Sequence, residues 1–501
     1  MADTNQRQWD YFNAMLTEGE RALLHYMPTI NELLEFACKQ YRKLPVISDG
    51  RVTYTYEELY DRVAVRRGQL KKLGYQPGDH IAVFAPNTMD AMELYLAIVT
   101  GGYISVMMPA SLVPQALAGL SKKFDIKGIF YDKSLEEKVP DFIEIRNTTE
   151  YVACEPQEPE NVTKDTICSI CMTGGTTGIP KGAVMTHGAM MRGAFNGCFI
   201  TKGVLYNRYI AILPLSHIFG LVKGFLSVIY TGGLVFECRD VKRAIGMIPI
   251  LKPTTLVLVP GMAEIIVNLS KLKGKAFSES LKMFIIGAAP VPPRLMQEID
   301  ALGIGVLAGY GLTEGANLTS GNKNVLENPD SMGMIYPEQM YKIVDGELRV
   351  KGDNLMQGYY NDAESTAAAF DEEGYLRTGD LVRMDENGLI YITGRIKNLM
   401  ILANGENVSP EEIEEEFYKN DSIKDCLVKE MEMNGKNVIG IEILPYEPAV
   451  TGKTPDEIEE MFKQITADIN RTLDTFKQVS KIVIRTEDFK RTPAMKIDRN
   501  Q

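Results

Sequence analysis

Met172-Thr-Gly-Gly-Thr-Thr-Gly-Ile-Pro-Lys-Gly-Ala183 is a stretch rich in glycine and threonine that directly follows an apolar, strand-like segment. Glycine lets backbone N–H groups approach a phosphate closely, threonine hydroxyls add donors, and Lys181 supplies positive charge. The Gly-Lys-Ser/Thr ending of the common nucleoside-triphosphatase loop is absent, and the spacing differs. The stretch therefore predicts a phosphate-binding loop of another kind, placed directly after a buried strand.

Short apolar runs alternate with segments of helical period on both sides of this loop. Residues 56–73 have the helical period, whereas residues 80–85, 128–131, 255–260 and 283–287 are apolar runs of strand length. Such alternation is typical of proteins in which helices cover a mostly parallel, buried sheet. We therefore expect layered α/β subdomains before residue 346.

The pattern changes near Gly346 to short strands and turns, at residues 347–351, 374–377 and 388–393, with a hairpin turn at residues 386–388. After Arg395 the pattern is that of a small α+β unit, in which Ser409-Pro-Glu-Glu412 has the N-cap, the first-position proline and the acidic first turn of a helix. We predict an α/β protein with a large N-terminal domain, residues 1–395, of layered α/β subdomains plus a β-rich subdomain. Residues 396–501 are predicted to form a small, mobile α+β domain.

The composition is that of an ordinary globular protein, with 45% apolar and 24% charged residues in 501. A net charge of −12 disfavours a general nucleic-acid binder, because neutralising phosphates needs a basic surface. The chain begins without a signal-peptide pattern, no apolar run reaches bilayer-spanning length, and the seven cysteines are irregularly spaced. We therefore expect a cytoplasmic protein without integral membrane segments. For the isolated Cys168-x-x-Cys171 pair we expect buried packing.

The loop resembles the phosphate loop of the acyl-adenylate-forming superfamily, which includes acyl-CoA synthetases, luciferases and the adenylation domains of peptide synthetases. Further motifs of that superfamily follow in the same order over essentially the whole chain. They are the adenine turn Gly287-Ala-Ala-Pro290, the motif Tyr310-Gly-Leu-Thr-Glu314, the ribose segment Tyr375-Leu-Arg-Thr-Gly-Asp380, the hinge and thiol-side loop at 394–398 and 404–410, and the terminal lysine motif at 491–499.

The resemblance implies that a carboxylate attacks the α-phosphorus of ATP, which brings two anions together and requires positive charge at the site. Lys496 would supply that charge at the bridging and carboxylate oxygens. Glu314, with Thr173, would hold Mg²⁺, a hard cation that keeps waters and substrate oxygens around it. Asp380 would accept hydrogen bonds from the ribose hydroxyls, and Tyr310 would stack on adenine.

The hinge would let one active site serve two half-reactions. Arg395 would contact nucleotide oxygens, and Lys397 would lie at the hinge, where small rotations replace Lys496 by the thiol-side loop around Gly405. His217 is expected in the catalytic site as a gate or packing residue beside the acyl group, not as an acid or base, and His187 as a structural cap. The residues implied in nucleotide binding are Thr173, Gly174, Gly175, Thr176, Thr177, Gly178, Lys181, Gly287, Ala288, Ala289, Pro290, Tyr310, Gly311, Leu312, Thr313, Asp380, Ile392, Arg395, Lys397, Gly405 and Lys496.

Two residues that some relatives have are absent from the sequence, and their absence restricts which acid the protein is expected to bind. Residues 213–220 contain no Asp to hold the ammonium group of an amino acid, and Trp9 is the only tryptophan, whereas acetate-specific relatives close the pocket with one. Thr173-Gly-Gly-Thr176 and residues 395–410 look more like bacterial fatty-acyl-CoA synthetases, while residues 213–220 also occur in similar form in aryl-CoA ligases. A medium- or long-chain fatty acid is therefore the first expectation and an aromatic acid the second.

The expected reactants are ATP, Mg²⁺, a small carboxylic acid and coenzyme A. The alternatives are transfer to the phosphopantetheine arm of a carrier protein, or a non-catalytic sensor that binds a nucleotide or an acyl group. The sequence does not decide whether the protein forms a homodimer. Met495 stands where most relatives have glycine before the catalytic lysine, so the local backbone there is more restricted.

Overall fold

The computed structural model describes residues 2–14, 16–139, 144–173, 180–200, 203–274, 276–401, 407–433, 436–491 and 497–499. The strands, numbered in chain order, are β1 (Pro45–Ser48), β2 (Thr53–Thr55), β3 (His80–Phe84), β4 (Ile104–Met108), β5 (Ile126–Tyr131), β6 (Glu144–Asn147), β7 (Ile167–Thr173), β8 (Lys181–Thr186), β9 (Arg208–Ile210), β10 (Leu234–Phe236), β11 (Thr255–Leu258), β12 (Met283–Gly287), β13 (Gly305–Tyr310), β14 (Ser320–Asn322), β15 (Met334–Ile335), β16 (Met340–Val344), β17 (Glu347–Lys351), β18 (Gly358–Tyr359), β19 (Leu376–Met384), β20 (Ile390–Arg395), β21 (Met400–Ile401), β22 (Asn407–Val408), β23 (Ile423–Met433), β24 (Lys436–Pro445) and β25 (Lys481–Ile484). The α-helices are α1 (Ala2–Asn13), α2 (Glu18–Leu23), α3 (Ile30–Tyr41), α4 (Tyr56–Lys72), α5 (Met89–Thr100), α6 (Pro114–Lys123), α7 (His187–Asn196), α8 (Ser227–Tyr230), α9 (Val241–Leu251), α10 (Pro260–Lys273), α11 (Pro293–Ala301), α12 (Ala363–Ala369), α13 (Pro410–Tyr418), α14 (Glu447–Val450) and α15 (Pro455–Asn470).

The largest sheet has the strand order β18-β8-β7-β4-β3-β5-β6. Strands β7, β4, β3, β5 and β6 are parallel neighbours, whereas β8 and β18 join as antiparallel strands at one edge. Every residue of β3 and β4 is buried, as expected for parallel strands covered on both faces. The predicted strands at 80–85 and 128–131 and the predicted helix at 56–73 are confirmed.

A second sheet has the order β11-β12-β13-β14-β15, and its first three strands are parallel. The predicted strand at 255–260 ends at Leu258, because Pro260 is the first residue of α10. A smaller sheet, β2-β1-β10-β9, packs with these layers into one apolar core that extends from Phe12 to Ile390.

The short strands predicted after Gly346 belong to an antiparallel sheet of the order β16-β17-β19-β20. The hairpin between β19 and β20 turns at residues 385–389, where Gly388 has a φ of +76°. Two predicted strand starts were two residues early: Gly374 and Gly388 lie in turns with positive φ, and pairing begins at Leu376 and Ile390. Glycine tolerates these angles because it has no Cβ atom.

The residues after β20 build a core of their own, from Met400 to Val479, under the sheet β23-β24-β25. Ser409 caps α13 as predicted, accepting a hydrogen bond from the backbone N–H of Glu412. The predicted fold class, with a large N-terminal and a small C-terminal domain, is confirmed, while the boundary between residues 395 and 396 stays a prediction. In the part of the chain that the structure describes, no helix is both long enough and apolar enough to cross a bilayer.

Candidate active site

The base of the predicted phosphate loop is a hairpin between β7 and β8, in which Thr173 lies opposite Lys181. Thr173 is buried, whereas Lys181 is partly exposed. Gly182 has no room for a side chain, because a Cβ atom there would lie 2.5 Å from the ring of Phe124. The remaining loop residues named above, Gly174, Gly175, Thr176, Thr177 and Gly178, lie outside the described residues.

Glu314 lies beside this hairpin, in a 3₁₀ turn (Thr313–Gly315) next to β7. The turn follows Gly311, where a Cβ atom would lie 1.1 Å from the carbonyl oxygen of Asn317, so only glycine fits. Ala316 and Asn317 have φ angles of +47° and +83°, so the chain doubles back tightly. This fold of the chain sets the half-buried Glu314 carboxylate close to the end of the phosphate-loop strand.

Tyr359 joins the two predicted segments, and the sequence interpretation missed it. Its hydroxyl donates a hydrogen bond to Oε1 of Glu314 at 2.8 Å, and the Nζ atom of Lys181 lies 4.9 Å from the centre of its ring. Burial, together with the charge of Glu314, raises the pKa of Tyr359, so its hydroxyl keeps its proton. Tyr359 belongs to the two-residue strand β18, which pairs with β8 and is too short to give a periodic signal.

The second part of the site is built on Asp380, which is 1% exposed. The hydroxyl of Tyr310 donates to Oδ2 of Asp380 at 2.6 Å, and Nε of Arg395 lies 2.6 Å from Oδ1. Tyr310 is buried as well, and burial together with the Asp380 charge raises its pKa. The structure thus brings together Tyr310, Asp380 and Arg395, to which the resemblance assigns nucleotide contacts, whereas ribose binding by Asp380 and stacking of Tyr310 on adenine stay predictions.

The predicted adenine turn starts at Gly287, the last residue of β12, opposite Gly309 of the neighbouring parallel strand β13. Ala288 has a φ of +69°, and Ala288, Ala289 and Pro290 are partly or fully exposed. The turn therefore lies at the carboxyl edge of the parallel strands, where α/β proteins bind ligands. Gly311, Leu312 and Thr313 follow β13 at the same edge.

His217 precedes a π-helix (Phe219–Leu226) and is half-buried. Its Nδ1 atom accepts a hydrogen bond from the backbone N–H of Phe219 at 3.2 Å. This hydrogen bond holds the ring against the start of the π-helix, and the expected role of His217 as a gate or packing residue stays a prediction. The helix α7 is capped by Thr186 and not by His187, but the buried His187 accepts the backbone N–H of Ile30, the first residue of α3, through Nδ1. The structural capping role expected of His187 is therefore found at α3.

The predicted hinge follows β20 as a 3₁₀ turn, Ile396–Asn398, in which Lys397 is exposed. Ile392 lies within β20, opposite Val382. Gly394 faces α13, because a Cβ atom there would lie 2.1 Å from Oγ of Ser409. Gly405 and Lys496 lie outside the described residues.

The segments that flank Lys496 are anchored on the C-terminal domain. Arg491 forms an ion pair with Asp425 at 2.5 Å, and Arg499 pairs with Glu414 and, at 3.3 Å, with Glu411. Burial raises the pKa of Glu414 to about 7, against the lowering effect of Arg499. These contacts fix both ends of the terminal motif to β23 and α13.

Comparison with known proteins identifies two family models along the chain. A model described as AMP-binding enzyme matches residues 34–360, and one described as AMP-binding enzyme C-terminal domain matches residues 397–501. The putative acyl-CoA synthetase YngI of Bacillus subtilis (strain 168) is 26% identical, covering 94% of this chain and 96% of the relative. The 2-succinylbenzoate–CoA ligase of Geobacillus sp. (strain WCH70) is 30% identical, covering 76% of this chain and 80% of the relative.

Solved structures share the fold. The ATP-bound MatB of Rhodopseudomonas palustris has a TM-score of 0.81 at 22% identity, covering 94% of this chain and 98% of that one. An anthranilate CoA ligase, AuaEII, in complex with anthranoyl-AMP has a TM-score of 0.82 at 20% identity, covering 94% and 96%. At these identities the likeness concerns the arrangement of the chain.

Proposed function

Because this chain belongs to the AMP-binding enzyme family, we propose that it is an AMP-forming ligase that joins a carboxylic acid to coenzyme A. The acid and ATP would give an acyl-adenylate and pyrophosphate, and the thiol would then displace AMP to form the acyl-CoA. The observation that carries the proposal is that Lys181, Tyr359 and Glu314 meet at the end of the phosphate-loop strand. Relatives named acyl-CoA synthetase and CoA ligase support the same chemistry.

In the first half-reaction the site has to offset repulsion between the carboxylate and the triphosphate. Lys181 at the base of the loop, and Lys496 from the C-terminal domain, would supply the positive charge. Glu314 suits Mg²⁺, because this ion is usually held by one or two carboxylates together with waters and phosphate oxygens. Bound there, Mg²⁺ would neutralise phosphate charge. Tyr359 holds one oxygen of Glu314 and so fixes the direction of its carboxylate.

Asp380 would bind the ribose, since an ionised carboxylate has about four acceptor sites and can serve Tyr310 and the sugar together. Arg395 lies across Asp380, but its side chain is 38% exposed. When a nucleotide enters, the guanidinium would exchange this ion pair for nucleotide oxygens. Tyr310 would then keep Asp380 in position while Arg395 moves.

For the second half-reaction, residues 396–501 would turn about the segment from Arg395 to Lys397 and bring the loop around Gly405 to the acyl-adenylate. The close contact between Gly394 and Ser409 supports a hinge at this point, because a shift there changes how α13 sits on β20. Alternating closure would also keep water away from the mixed anhydride. A reaction that consumes ATP and coenzyme A suits a cytoplasmic enzyme.

The first candidate acid is a medium- or long-chain fatty acid. An aromatic acid is the second candidate, and it is favoured by relatives named 2-succinylbenzoate–CoA ligase and feruloyl-CoA synthase. Transfer to a carrier protein is the alternative for the acceptor.

A substrate panel tests the function. Pyrophosphate release is measured with acetate, octanoate, palmitate, benzoate and cinnamate, each with free CoA, with a phosphopantetheinylated carrier protein, and with neither. We expect acid-dependent release and a CoA thioester, and we expect Lys496→Ala to abolish adenylation while nucleotide binding persists. Turnover unchanged in Lys496→Ala would refute the assignment of that lysine, and nucleotide binding without turnover of any acid would support the sensor.

A further inference from the structure

Lys223 is a lysine in the core of the N-terminal domain, with 1% of its surface exposed. It lies in the π-helix (Phe219–Leu226), inside an apolar run that extends from residue 218 to 230. Its Nζ atom donates a hydrogen bond to the carbonyl oxygen of Gly197 at 2.6 Å. In the described part of the chain no carboxylate forms an ion pair with it, and its neighbour Cys198 is a buried thiol whose pKa burial raises to about 12, so it carries no charge at neutral pH.

A buried ammonium without an anion is costly, because the protein interior solvates charge poorly. Burial lowers the pKa of Lys223 to about 8, which leaves much of it protonated at neutral pH. An ammonium has three donors, and the carbonyl of Gly197 uses one. The Lys223 ammonium therefore has no anion beside it among the described residues, and an anionic group of a ligand could take that place.

The π-helix connects Lys223 with the nucleotide side of the site. The ring of Phe219 lies against Gly287, where a Cβ atom would approach it to 3.2 Å, and Gly287 begins the predicted adenine turn. Lys223 follows Phe219 by four residues, which is about one helical turn. A π-helical segment inside a helical region is often found at functional sites.

Helix α7 bounds the same region from the other side. Gly193 packs against the carbonyl oxygen of Ala316, two residues after Glu314, and Gly197 packs against the stem of Lys223. The segment from Gly193 to Gly197 and the π-helix thus run between the candidate nucleotide site at one end and the buried ammonium at the other. To reach Lys223, an acid that reacts at the first end would have to extend along these two elements, all of whose residues are buried.

Resting on the proposed function, we infer that Lys223 binds a second carboxylate at the far end of the acid, which makes the substrate an aliphatic dicarboxylic acid. The reacting carboxylate then lies at the nucleotide, and the second one accepts hydrogen bonds from the two ammonium donors that Gly197 does not use. A plain hydrocarbon tail would leave the ammonium buried beside apolar groups. This preference sharpens the fatty-acid assignment to chains with an anionic terminus.

A purely structural role gives a different expectation. Lysine side chains stabilise helix C-termini by binding their last carbonyl groups, and Gly197 is the C-cap of α7. In that case the loss of Lys223 destabilises the fold and affects all acids alike. The two roles are therefore separated by comparing acids in the same variant.

The experiment compares kcat/KM, from CoA-dependent pyrophosphate release, for acids of equal length: hexanoic acid, adipic acid and adipic acid monoamide, and the corresponding eight-carbon series. We expect the dicarboxylic acid of the better length to exceed its monoamide and monocarboxylic counterparts by roughly 10- to 100-fold, as suits a buried hydrogen bond to a charged group. Lys223→Met, which keeps the unbranched shape, should remove this advantage and leave the monocarboxylic acids equal or better. Lys122→Met, on the exposed face of α6, is the matched control. It should change neither the advantage of the dicarboxylic acid nor the kcat/KM of the monocarboxylic acids.

The thermal midpoint is measured in parallel, because it reports whether Lys223→Met folds. A monocarboxylic acid preferred by the wild-type protein would overturn the inference and leave the proposed function intact. An equal loss for all acids together with a lowered midpoint would also overturn it, in favour of the capping role. If no acid of either series releases pyrophosphate while an acid of the substrate panel does, the inference fails and the proposed function stands. If no acid of the panel or of the two series releases pyrophosphate, the proposed function fails as well.

Discussion

Replacing Asp380 by Asn tests the ribose-binding part of the site without changing its volume. In the structure the Asp380 carboxylate accepts the hydroxyl of buried Tyr310 at 2.6 Å and pairs with Arg395 at 2.6 Å. A hydrogen bond to a charged group contributes about 1.5–3 kcal/mol when buried. The ion pair adds less than about 1 kcal/mol, because the Arg395 side chain is 38% exposed. An asparagine keeps one acceptor, so we expect stability to fall by about 1–2 kcal/mol.

The effect on nucleotide binding should be larger than the effect on folding. If the ribose hydroxyls donate to Asp380, the variant loses a charged acceptor for two donors, and the KM for ATP should rise roughly 10- to 100-fold, at about 1.4 kcal/mol for each factor of ten. The assay is the initial rate of pyrophosphate release against ATP concentration at saturating acid and CoA. Urea unfolding of the same preparations measures the stability term.

Asp385→Asn is the matched control, because Asp385 follows the same strand and accepts hydrogen bonds from the backbone of Leu389 and the hydroxyl of Tyr391. This variant should lower the free energy of unfolding, because it weakens the hairpin between β19 and β20, and it should leave the KM for ATP unchanged. A KM for ATP that changes less than threefold in Asp380→Asn, while stability falls as expected, would show that Asp380 supports Tyr310 and Arg395 and does not bind ribose.

Three further predictions concern space and charge. Gly311→Ala, whose Cβ atom would lie 1.1 Å from a carbonyl oxygen, should lower the free energy of unfolding by about 3 kcal/mol or more, measured by urea unfolding. In the control Gly315→Ala, the nearest neighbour of the added Cβ atom is at 3.4 Å, so the change should stay within about 1 kcal/mol. Equal losses in the two variants would contradict the tight turn. Gly394→Ala should slow thioester formation by pressing on Ser409, and Ser409→Gly should restore the rate in the double variant; no rescue would show that this contact does not set the domain position. Burial lowers the pKa of His187 to about 4 from 6.5, so the unfolded chain binds the extra proton and stability falls between pH 6.5 and pH 4, by about 3 kcal/mol in total. His187→Asn should flatten that part of the profile relative to the wild type, and identical profiles would show that the histidine does not titrate as described.

The family could be predicted from the sequence because the motifs resemble those of the acyl-adenylate-forming superfamily and follow in the same order; some of them also have a local physical reason. The glycines and threonines of the 172–183 stretch indicate a phosphate loop by composition alone, and Ser409-Pro410 indicates a helix start by its capping chemistry. Parallel strands such as β3 and β12 were also predictable, since strands buried on both faces are continuous apolar runs.

The meeting of distant residues could not be predicted in this way. Tyr359 reaches Glu314 and Lys181 because β18 adds to the edge of the largest sheet next to β8, and a two-residue strand has no periodic pattern. Lys223 does leave a signal, as a lone lysine in an apolar run, but only packing decides whether such a side chain reaches the surface or stays inside.

The sequence by itself determined local features such as the helix start at Ser409, and by resemblance it predicted which residues bind phosphate and ribose. Only the tertiary structure decided which of these groups face one another, as in the Tyr310, Asp380 and Arg395 cluster and the burial of Lys223. The physical reason is that backbone conformation and capping depend on neighbours in the chain, whereas hydrogen bonding and desolvation depend on neighbours in space.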